Sequence, residues 1–364
     1  MPEPRGWDYR TERMRFKALV VTVLLVVGGY TAFWFYIAGK VEEKARIWIA
    51  AQESRGVHAF YGDLAVEGFP YKIVVKLSEL KVELAPELTR RGEANLIFPE
   101  VAIVAFPWKL NHAVLSSAYG DVVLGPMQSP DMTMAVDGLK ASLVLDRDSR
   151  QPERLSLTSE RLSWAYSSLG DKVPPSEARN LQLHVRRALE VTDGRQAMEL
   201  PALLEVFLSA EDVVAHEIPV GIFGKKADLI RLHTVLHASE FPRYDREGLS
   251  RWRDEGGTLA VRTLEVRSGK MEFAMDGELT LDQDLKPLGA FSSQIRGLDH
   301  IVAVLSGHSG FQEEPGSMIL EELKNMGENE GDKGKMLSLA ISLQNGLLFL
   351  GPIPVYELAP LAAE

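Results

Sequence analysis

An uninterrupted apolar run near the start of the chain is its first clear hydrophobic pattern. Residues 18–39 contain no charged side chain over 22 positions. A helix of that length spans roughly 33 Å, which is enough to cross a bilayer core of about 30 Å. The pattern therefore predicts one transmembrane helix. Trp34 and Tyr36 are placed to anchor it at the membrane–water interface near the C-terminal end of the apolar run.

The charges that flank this run predict its orientation. Five basic residues precede it, and the last four lie close to the membrane: Arg5, Arg10, Arg13, Arg15 and Lys17. Cytoplasmic flanks of membrane helices carry an excess of Lys and Arg. We therefore expect residues 1–17 to form a cytoplasmic tail, Lys17 to mark the inner interface, and the rest of the chain to be exported.

A cleaved signal peptide is the alternative interpretation of the same segment. Such a peptide has an apolar core of 7–15 residues followed by a cleavage site between small residues. Here the apolar core is longer, ends in bulky aromatic residues, and is followed by no convincing site. These features favour an uncleaved signal anchor over residues 18–39.

Helical spacing continues beyond the apolar run. One face of residues 40–55 carries Val41, Ala45, Trp48, Ile49 and Gln52, and Gly56 is placed to end the helix. The predicted organisation is a tail (1–17), a transmembrane anchor (18–39), a periplasmic helical extension (40–55) and a periplasmic domain (56–364).

From residue 57 the apolar spacing changes toward two, which is typical of β-strands. The predicted strands are 71–77, 80–84, 96–106, 121–124, 132–136, 139–145, 181–186, 197–200, 203–210, 259–266, 271–275, 278–282, 336–343 and 347–358. The fold class is therefore mainly β, with a long, twisted, mainly antiparallel sheet after the N-terminal helix.

Turn signals and a few helical stretches complete the pattern. Asn345-Gly346 is a strong hairpin signal, and Asp137-Gly138 and Asp193-Gly194 are further predicted turns. Helices are predicted over 297–305 and 315–326. The short sequence Ala-(Val or Met)-acid-Gly recurs at 65–68, 135–138 and 274–277, which is either a repeated strand-turn-strand unit or only a common turn.

Composition narrows the function classes. The chain has 364 residues with 46% hydrophobic and 25% charged positions, and it contains no cysteine, so disulfides and cysteine-based metal sites are excluded. The net charge of −11 divides into +3 for residues 1–40 and −14 for the remainder. An acidic exported part argues against nucleic-acid binding.

The best metal-like pattern is Asp228, His233 and His237. On a helix the two histidines would share a metal ion, but the surrounding apolar alternation favours a strand, on which they lie about 13 Å apart. No HExxH glutamate is present. We therefore expect neither a metal site nor a cofactor.

Catalytic motifs are incomplete. Ser306 and His308 lie in a sequence that resembles a nucleophile elbow without its first glycine, and they follow a predicted helix instead of a strand. The paired acids Asp282 and Asp284 lie in a predicted turn, where contact with water accounts for two carboxylates without any catalytic role. The sequence therefore predicts a protein that is not an enzyme.

Abundant apolar strand surface remains to be explained. Residues 96–106 and 347–355 carry apolar side chains on both faces, so a second covering layer is expected. Beside a membrane, a phospholipid or another amphipath is a plausible covering molecule.

Several short motifs, in order along most of the chain, resemble the bacterial domain-of-unknown-function family 2125. These motifs are Gly68-Phe69-Pro70-Tyr71; Trp252 with Gly256-Gly257 and strand 259–266; Gly277–Asp282 with Pro287 and Gly289; and Asn345-Gly346 with Gly351-Pro352. The ending Glu357-Leu358-Ala359-Pro360-Leu361 departs from the expected Pro-Pro-Leu.

The resemblance implies a Gram-negative envelope protein whose general form is similar to that of AsmA-like proteins, which are associated with phospholipid transport and outer-membrane assembly. From it we expect an inner-membrane anchor and a periplasmic sheet that shields lipid in an apolar concavity. The alternative is a structural partner that binds another envelope protein through an exposed sheet edge. The expected shape-setting residues are Gly68, Phe69, Pro70, Tyr71 and Trp252.

Overall fold

The computed structural model describes most of the chain. The described residues are 9–89, 92–170, 172–188, 200–216, 225–297, 337–351 and 353–361, with seven further residues between 302 and 321. The predicted turn at Asp193-Gly194 lies outside these residues, and the helices predicted over 297–305 and 315–326 lie largely outside them.

Helices are few among the described residues. Helix α1 (Tyr9–Gln52) covers the whole apolar run and continues beyond it. A 3-10 turn (Glu53–Arg55) follows, and Gly56, at φ 77°, ends the helical path. The other helices are α2 (Pro86–Thr89) and α3 (Arg246–Asp254).

The part of the chain that the structure describes contains sixteen strands, which form one sheet. In chain order they are β1 (Val57–Phe60), β2 (Leu64–Glu67), β3 (Ile73–Leu84), β4 (Ala94–Phe106), β5 (Lys109–Leu124), β6 (Met132–Leu145), β7 (Pro152–Tyr166), β8 (Ser176–Arg187), β9 (Ala202–Val214), β10 (Lys226–His237), β11 (Thr258–Ser268), β12 (Met271–Leu281), β13 (Pro287–Arg296), β14 (Leu337–Gln344), β15 (Leu347–Leu350) and β16 (Ile353–Glu357).

The sheet has a simple meander topology. Each strand from β3 to β15 pairs with the strand that follows it, while β1 and β2 both pair with β3. Every pairing among the described strands is antiparallel. The prediction of a mainly β, mainly antiparallel protein behind one long N-terminal helix is confirmed.

The strands are longer than the sequence suggested. Asp137-Gly138 lies inside β6 and Gly277 inside β12, so the two predicted turns at these positions are wrong. Strands β1, β2, β7 and β13 and residues 109–120 of β5 were not predicted, and the single strand predicted over 347–358 forms the two paired strands β15 and β16. Asn345-Gly346, in contrast, does form the hairpin turn between β14 and β15.

The strands run between two ends of the sheet, one of which lies near the apolar run of α1. We call this the proximal end, where β3 begins at Ile73 and β4 ends at Phe106. At the distal end, Val57 of β1 pairs with Leu84. Because α1 leads into β1 at the distal end, the helix runs alongside the first strands from the proximal to the distal end.

Most of the described strands are covered on neither face by a second sheet, and the buried residues form three separate clusters. The first lies where α1 meets β2 and β3, around Leu64, Val75 and Leu77. The second lies around Trp252 of α3, and the third covers β10–β15. The fold is thus a single layer with local caps.

A line of backbone irregularities, which we call the crease, crosses strands β3–β9. Its residues with left-handed backbone are Glu79 (φ 51°), Gly138 (φ 63°), Asn180 (φ 48°) and Asp212 (φ 46°). Irregularities of this kind bend strands and increase their twist.

Two buried serines stabilise the crease on intervening strands. Ser117 on β5 donates a hydrogen bond from Oγ to the Glu100 carbonyl oxygen at 2.6 Å. Ser159 on β7 donates one to the Asp137 carbonyl oxygen at 2.8 Å. These bonds satisfy backbone acceptors where the regular ladder is interrupted.

The crease also keeps apolar side chains on one face. Leu80 packs in the same cluster as Val75 and Leu77, although it lies five positions after the first and three positions after the second. In a regular strand such residues would lie on opposite faces. The left-handed Glu79 between them reverses the alternation, so both halves of β3 place their apolar residues under α1.

We predict that residue 138 tolerates asparagine better than valine. A β-branched residue is a genuine outlier at positive φ, whereas asparagine adopts the left-handed region more readily. Gly138→Val should lower the thermal midpoint of the full-length protein in detergent more than Gly138→Asn, by about 1 kcal/mol in stability. Ala141→Val, on the same strand with ordinary backbone, is the control, and equal effects of all three would contradict the role of the left-handed backbone.

Candidate functional site

One face of the sheet carries a row of residues that are almost all apolar. Its members lie directly opposite one another on consecutive strands, so their side chains share one face. The row consists of Val66, Val75, Ile103, Leu115, Ala141, Leu157, Leu183, Leu208, Leu232, Leu264, Met275, Ser293 and Leu339. Twelve of its thirteen members are apolar.

A second row runs beside it on the same face, nearer the proximal end. It consists of Ile73, Ala105, Ala113, Leu143, Leu155, Val185, Val206, Thr234, Val261, Gly277, Phe291, Ile341 and Leu350. We call the surface formed by the two rows the apolar face.

The opposite face is polar at the same level. The row one residue away consists of Lys76, Ala102, Ser116, Lys140, Thr158, Gln182, Ser209, Arg231, Glu265, Ala274, Gln294 and Ser338. At this level the contrast makes the sheet amphipathic, although the neighbouring row on the opposite face also carries Val74, Val104, Val114 and Phe207. A single-layer sheet of this kind needs something other than water on its apolar side.

The chain itself covers the first strands and the last strands of the apolar face. At the β3 end of the strand order, Val41, Ala45 and Ile49 of α1 pack on the cluster around Val75. At the other end, Val302 and Leu320 pack with residues of β10–β15. Each cap uses ordinary hydrophobic contact.

The middle of the apolar face lacks such a cap among the described residues. Its members belong to none of the three buried clusters, and we call them the open section: Leu115, Ala141, Leu143, Leu155, Leu157, Leu183, Val185, Val206 and Leu208. Leu143 and Leu155 remain 36% and 40% exposed. Across strands β5–β9 the open section is about 19 Å wide at the usual strand spacing.

The expected membrane-anchor residues lie on α1 in different environments. Lys17 and Tyr36 are exposed, whereas Trp34 is only 3% exposed and faces the sheet. The indole nitrogen of Trp34 donates a hydrogen bond to the Lys72 carbonyl oxygen at 3.3 Å. The helix is long and apolar enough to cross a membrane, with a mean hydropathy of 2.1 in its most apolar window.

The expected shape-setting motif Gly68–Tyr71 forms the loop between β2 and β3. Gly68 lies at φ 105°, and a Cβ atom there would approach the Lys72 carbonyl oxygen to 2.6 Å, so only glycine fits. Phe69 packs edge-to-face on Trp34 at 5.4 Å. The loop therefore rests on the apolar helix.

Trp252 is a core residue of α3. Its indole nitrogen donates a hydrogen bond to the His237 carbonyl oxygen at 3.0 Å, and it packs with Leu249, Leu281 and Leu285. A Cβ atom on Gly257 would lie 2.2 Å from the indole nitrogen, so this glycine makes room for the ring. The contacts tie α3 to the proximal ends of β10 and β12.

The histidine pattern lies on a strand, as its alternation favoured. His233 and His237 belong to β10, where His233 Nε2 lies 2.7 Å from Glu205 Oε1 and His237 Nδ1 lies 3.1 Å from the Leu200 carbonyl oxygen. Among the described residues no group of three or more His, Asp or Glu side chains is arranged to hold a metal ion.

The other chemical candidates have structural partners. Ser306 donates its hydroxyl to the Val302 carbonyl oxygen, a bond typical of helices, and His308 lies outside the described residues. Asp282 accepts backbone hydrogen bonds from Asp284 and Lys286, each at 2.9 Å. This carboxylate therefore stabilises the turn between β12 and β13.

An ion-pair cluster lies on the polar face, behind the open section. Glu205 on β9 accepts a hydrogen bond from Arg186 on β8 at 2.5 Å and contacts His233 on β10. The Arg186 bond is the main cause of a pKa of Glu205 below its ordinary value. The cluster ties three neighbouring strands together.

We predict that Glu205→Gln lowers stability at neutral pH but not in acid. Because the pKa of Glu205 is lowered in the folded state, its contribution exists above its unfolded pKa and disappears as pH falls through the folded value. The loss should be about 1 kcal/mol at pH 7, since Arg186 is half exposed, and should shrink below about pH 4. Thermal midpoints of the full-length protein, with the exposed Glu278→Gln as control, test this, and a pH-independent loss would contradict it.

Comparison with known proteins gives one match. The family model described as "Uncharacterized protein conserved in bacteria (DUF2125)" matches residues 34–359. No curated protein and no solved structure matches the chain. The match includes the end of the apolar helix, all sixteen strands and the loop at Gly68–Tyr71, and the chain belongs to the DUF2125 family.

Proposed function

We propose that this protein is a non-enzymatic, inner-membrane-anchored protein of envelope biogenesis whose periplasmic sheet shields lipid or another amphipath. The bound molecule lies on the open section of the apolar face. The work performed there is burial and release, with no covalent step.

The continuous apolar face is the observation that carries this proposal. Its two rows cross nearly every strand, and among the described residues the chain covers them only over the first and the last strands. An acyl chain laid across the open section gains about 0.8 kcal/mol for each methylene that it removes from water. The side chains there offer apolar contact and no charge, which suits an acyl chain better than a polar substrate.

The proposed orientation rests on charge. The basic residues directly before the apolar helix favour a cytoplasmic N-terminus, which places the remainder of the chain on the opposite side of the membrane. The apolar face then lies in the periplasm beside the outer surface of the inner membrane.

The alternative function, binding of an envelope protein by strand addition, has weaker support. Edge strand β16 has only five residues, and its exposed Pro354 has no N–H group to donate to a partner strand. Short strands and proline are features by which natural sheets discourage edge pairing.

Photocross-linking from neighbouring residues of one strand tests the lipid proposal. We expect p-benzoylphenylalanine in place of Leu155 or Leu157 to form phospholipid adducts in cells, because these side chains face the open section. The same group in place of Arg154 or Ser156 should form few, since these residues face the opposite side. Mass spectrometry of the purified full-length protein identifies the adducts.

Equal lipid adducts from both faces would indicate nonspecific contact and would overturn the proposal. Protein adducts confined to Leu155 and Leu157 would also overturn it and would indicate that a polypeptide covers the apolar face.

A charge placed on the open section should exclude the lipid. Leu183 lies directly opposite Leu157, so Leu183→Asp brings a carboxylate against the bound chain and should reduce adducts from position 157 about tenfold. His184→Asp, one residue along on the polar face, is the matched control and should leave the yield unchanged. An undiminished yield in a folded Leu183→Asp protein would contradict lipid binding at this place.

A further inference from the structure

Two exposed loops at the proximal end of the sheet share one sequence pattern. The first tip is Phe69-Pro70-Tyr71-Lys72, before β3, and the second tip is Phe106-Pro107-Trp108-Lys109, between β4 and β5. Both read phenylalanine, proline, aromatic residue, lysine. Because Ile73 pairs with Ala105, the two tips lie side by side at the same end of the sheet.

The tips present large aromatic rings to their surroundings. Tyr71 is 73% exposed and Trp108 is 68% exposed, and Phe69 and Phe106 are 46% and 39% exposed. Phe106 and Trp108 stack on each other with ring centroids 5.4 Å apart. Four clustered exposed rings make an apolar patch that water solvates poorly.

The first tip lies at the level of the apolar helix segment. The Tyr30 hydroxyl donates a hydrogen bond to the Pro70 carbonyl oxygen, and Phe69 stacks on Phe35 at 5.6 Å. Tyr30 precedes Lys40, the first charge after the apolar run, by ten residues, which is about 15 Å along a helix. A loop that contacts Tyr30 therefore lies well inside the thickness that the helix spans.

We propose that the two tips are embedded in the membrane leaflet from which the helix emerges, so that the proximal end of the sheet enters the bilayer. Aromatic rings with a polar edge favour the lipid–water interface, which suits Tyr71 and Trp108. Lys72 and Lys109 follow the rings directly and extend toward the lipid phosphates.

A bilayer explains these contacts better than a protein partner. The ring of Phe69 is held against Phe35, inside a run without charges, and the same run must be surrounded by lipid if α1 crosses the membrane. The second tip is adjacent and equally aromatic, so it meets the same medium. The inference concerns the position of the sheet and does not require that the apolar face takes up lipid.

Single cysteines provide the test, because the chain has no cysteine of its own. The full-length protein, with Tyr71→Cys or Trp108→Cys, is labelled with an environment-sensitive fluorophore and placed in nanodiscs of phosphatidylethanolamine and phosphatidylglycerol. Met127→Cys and Leu169→Cys, exposed at the distal end, are the matched controls.

We expect the labels at 71 and 108 to emit at shorter wavelength and to be quenched at least twofold by nitroxide-labelled lipid, while the labels at 127 and 169 are not. A label at 108 as accessible to a water-soluble quencher as the label at 127 would overturn the proposal. So would a label that is protected from water but not quenched by nitroxide lipid, since that result indicates protein contact. If Trp108→Cys does not fold, Lys109→Cys reports from the next position.

Discussion

The structure depends on one constraint: a single sheet with an apolar and a polar face has to keep water away from the apolar side. Two parts of that side are covered by the chain, with α1 packed on the cluster around Val75 and with Val302 and Leu320 packed over the later strands. Strands β5–β9 between these caps keep an apolar surface without a comparable cover among the described residues. A compact protein of this size would fold a second layer over such a surface. In the proposed arrangement, a membrane crossed by α1 offers a different source of apolar material.

The crease extends the apolar surface along the strands, beyond the two rows of the apolar face and toward the distal end. In a long strand with strict alternation, an apolar residue that is shifted by one position faces the polar side. Here the alternation itself shifts by one position within the strands. On β6 one alternating set of apolar residues is Met132, Met134 and Val136 before Gly138, and another is Leu139, Ala141 and Leu143 after it. The left-handed backbone between the two sets returns the second set to the same face. A similar interruption recurs on neighbouring strands, which keeps the whole sheet in register across the crease.

Contacts between α1 and the proximal end of the sheet hold the two in a defined relative position. Trp34 is buried against the loop at Gly68–Tyr71, and farther along α1 the residues Val41, Ala45 and Ile49 extend the contact toward the distal end. An anchor that only tethered a soluble domain would need no such contact. With it, the proposed membrane-embedded tips and the proposed lipid-binding face form one arrangement, in which the apolar face begins where the bilayer ends.

Sequence pattern alone determined the apolar helix, the mainly β character, the family, and the hairpin at Asn345-Gly346, because each depends on local composition or spacing. The sequence pattern could not predict the open section, because Leu115, Leu157 and Leu208 are far apart in the chain and only strand pairing brings them into one row. Gly138 was misread as a turn because an acid–glycine pair signals a bend but does not reveal whether the strand resumes. The sequence contains the second tip as a repeat of Phe-Pro-aromatic-Lys. Only the register of β3 and β4 shows that this tip lies beside the loop at Gly68–Tyr71. Periodicity reports which side of a strand is apolar, whereas only the pairing of distant strands decides whether those sides join into one surface.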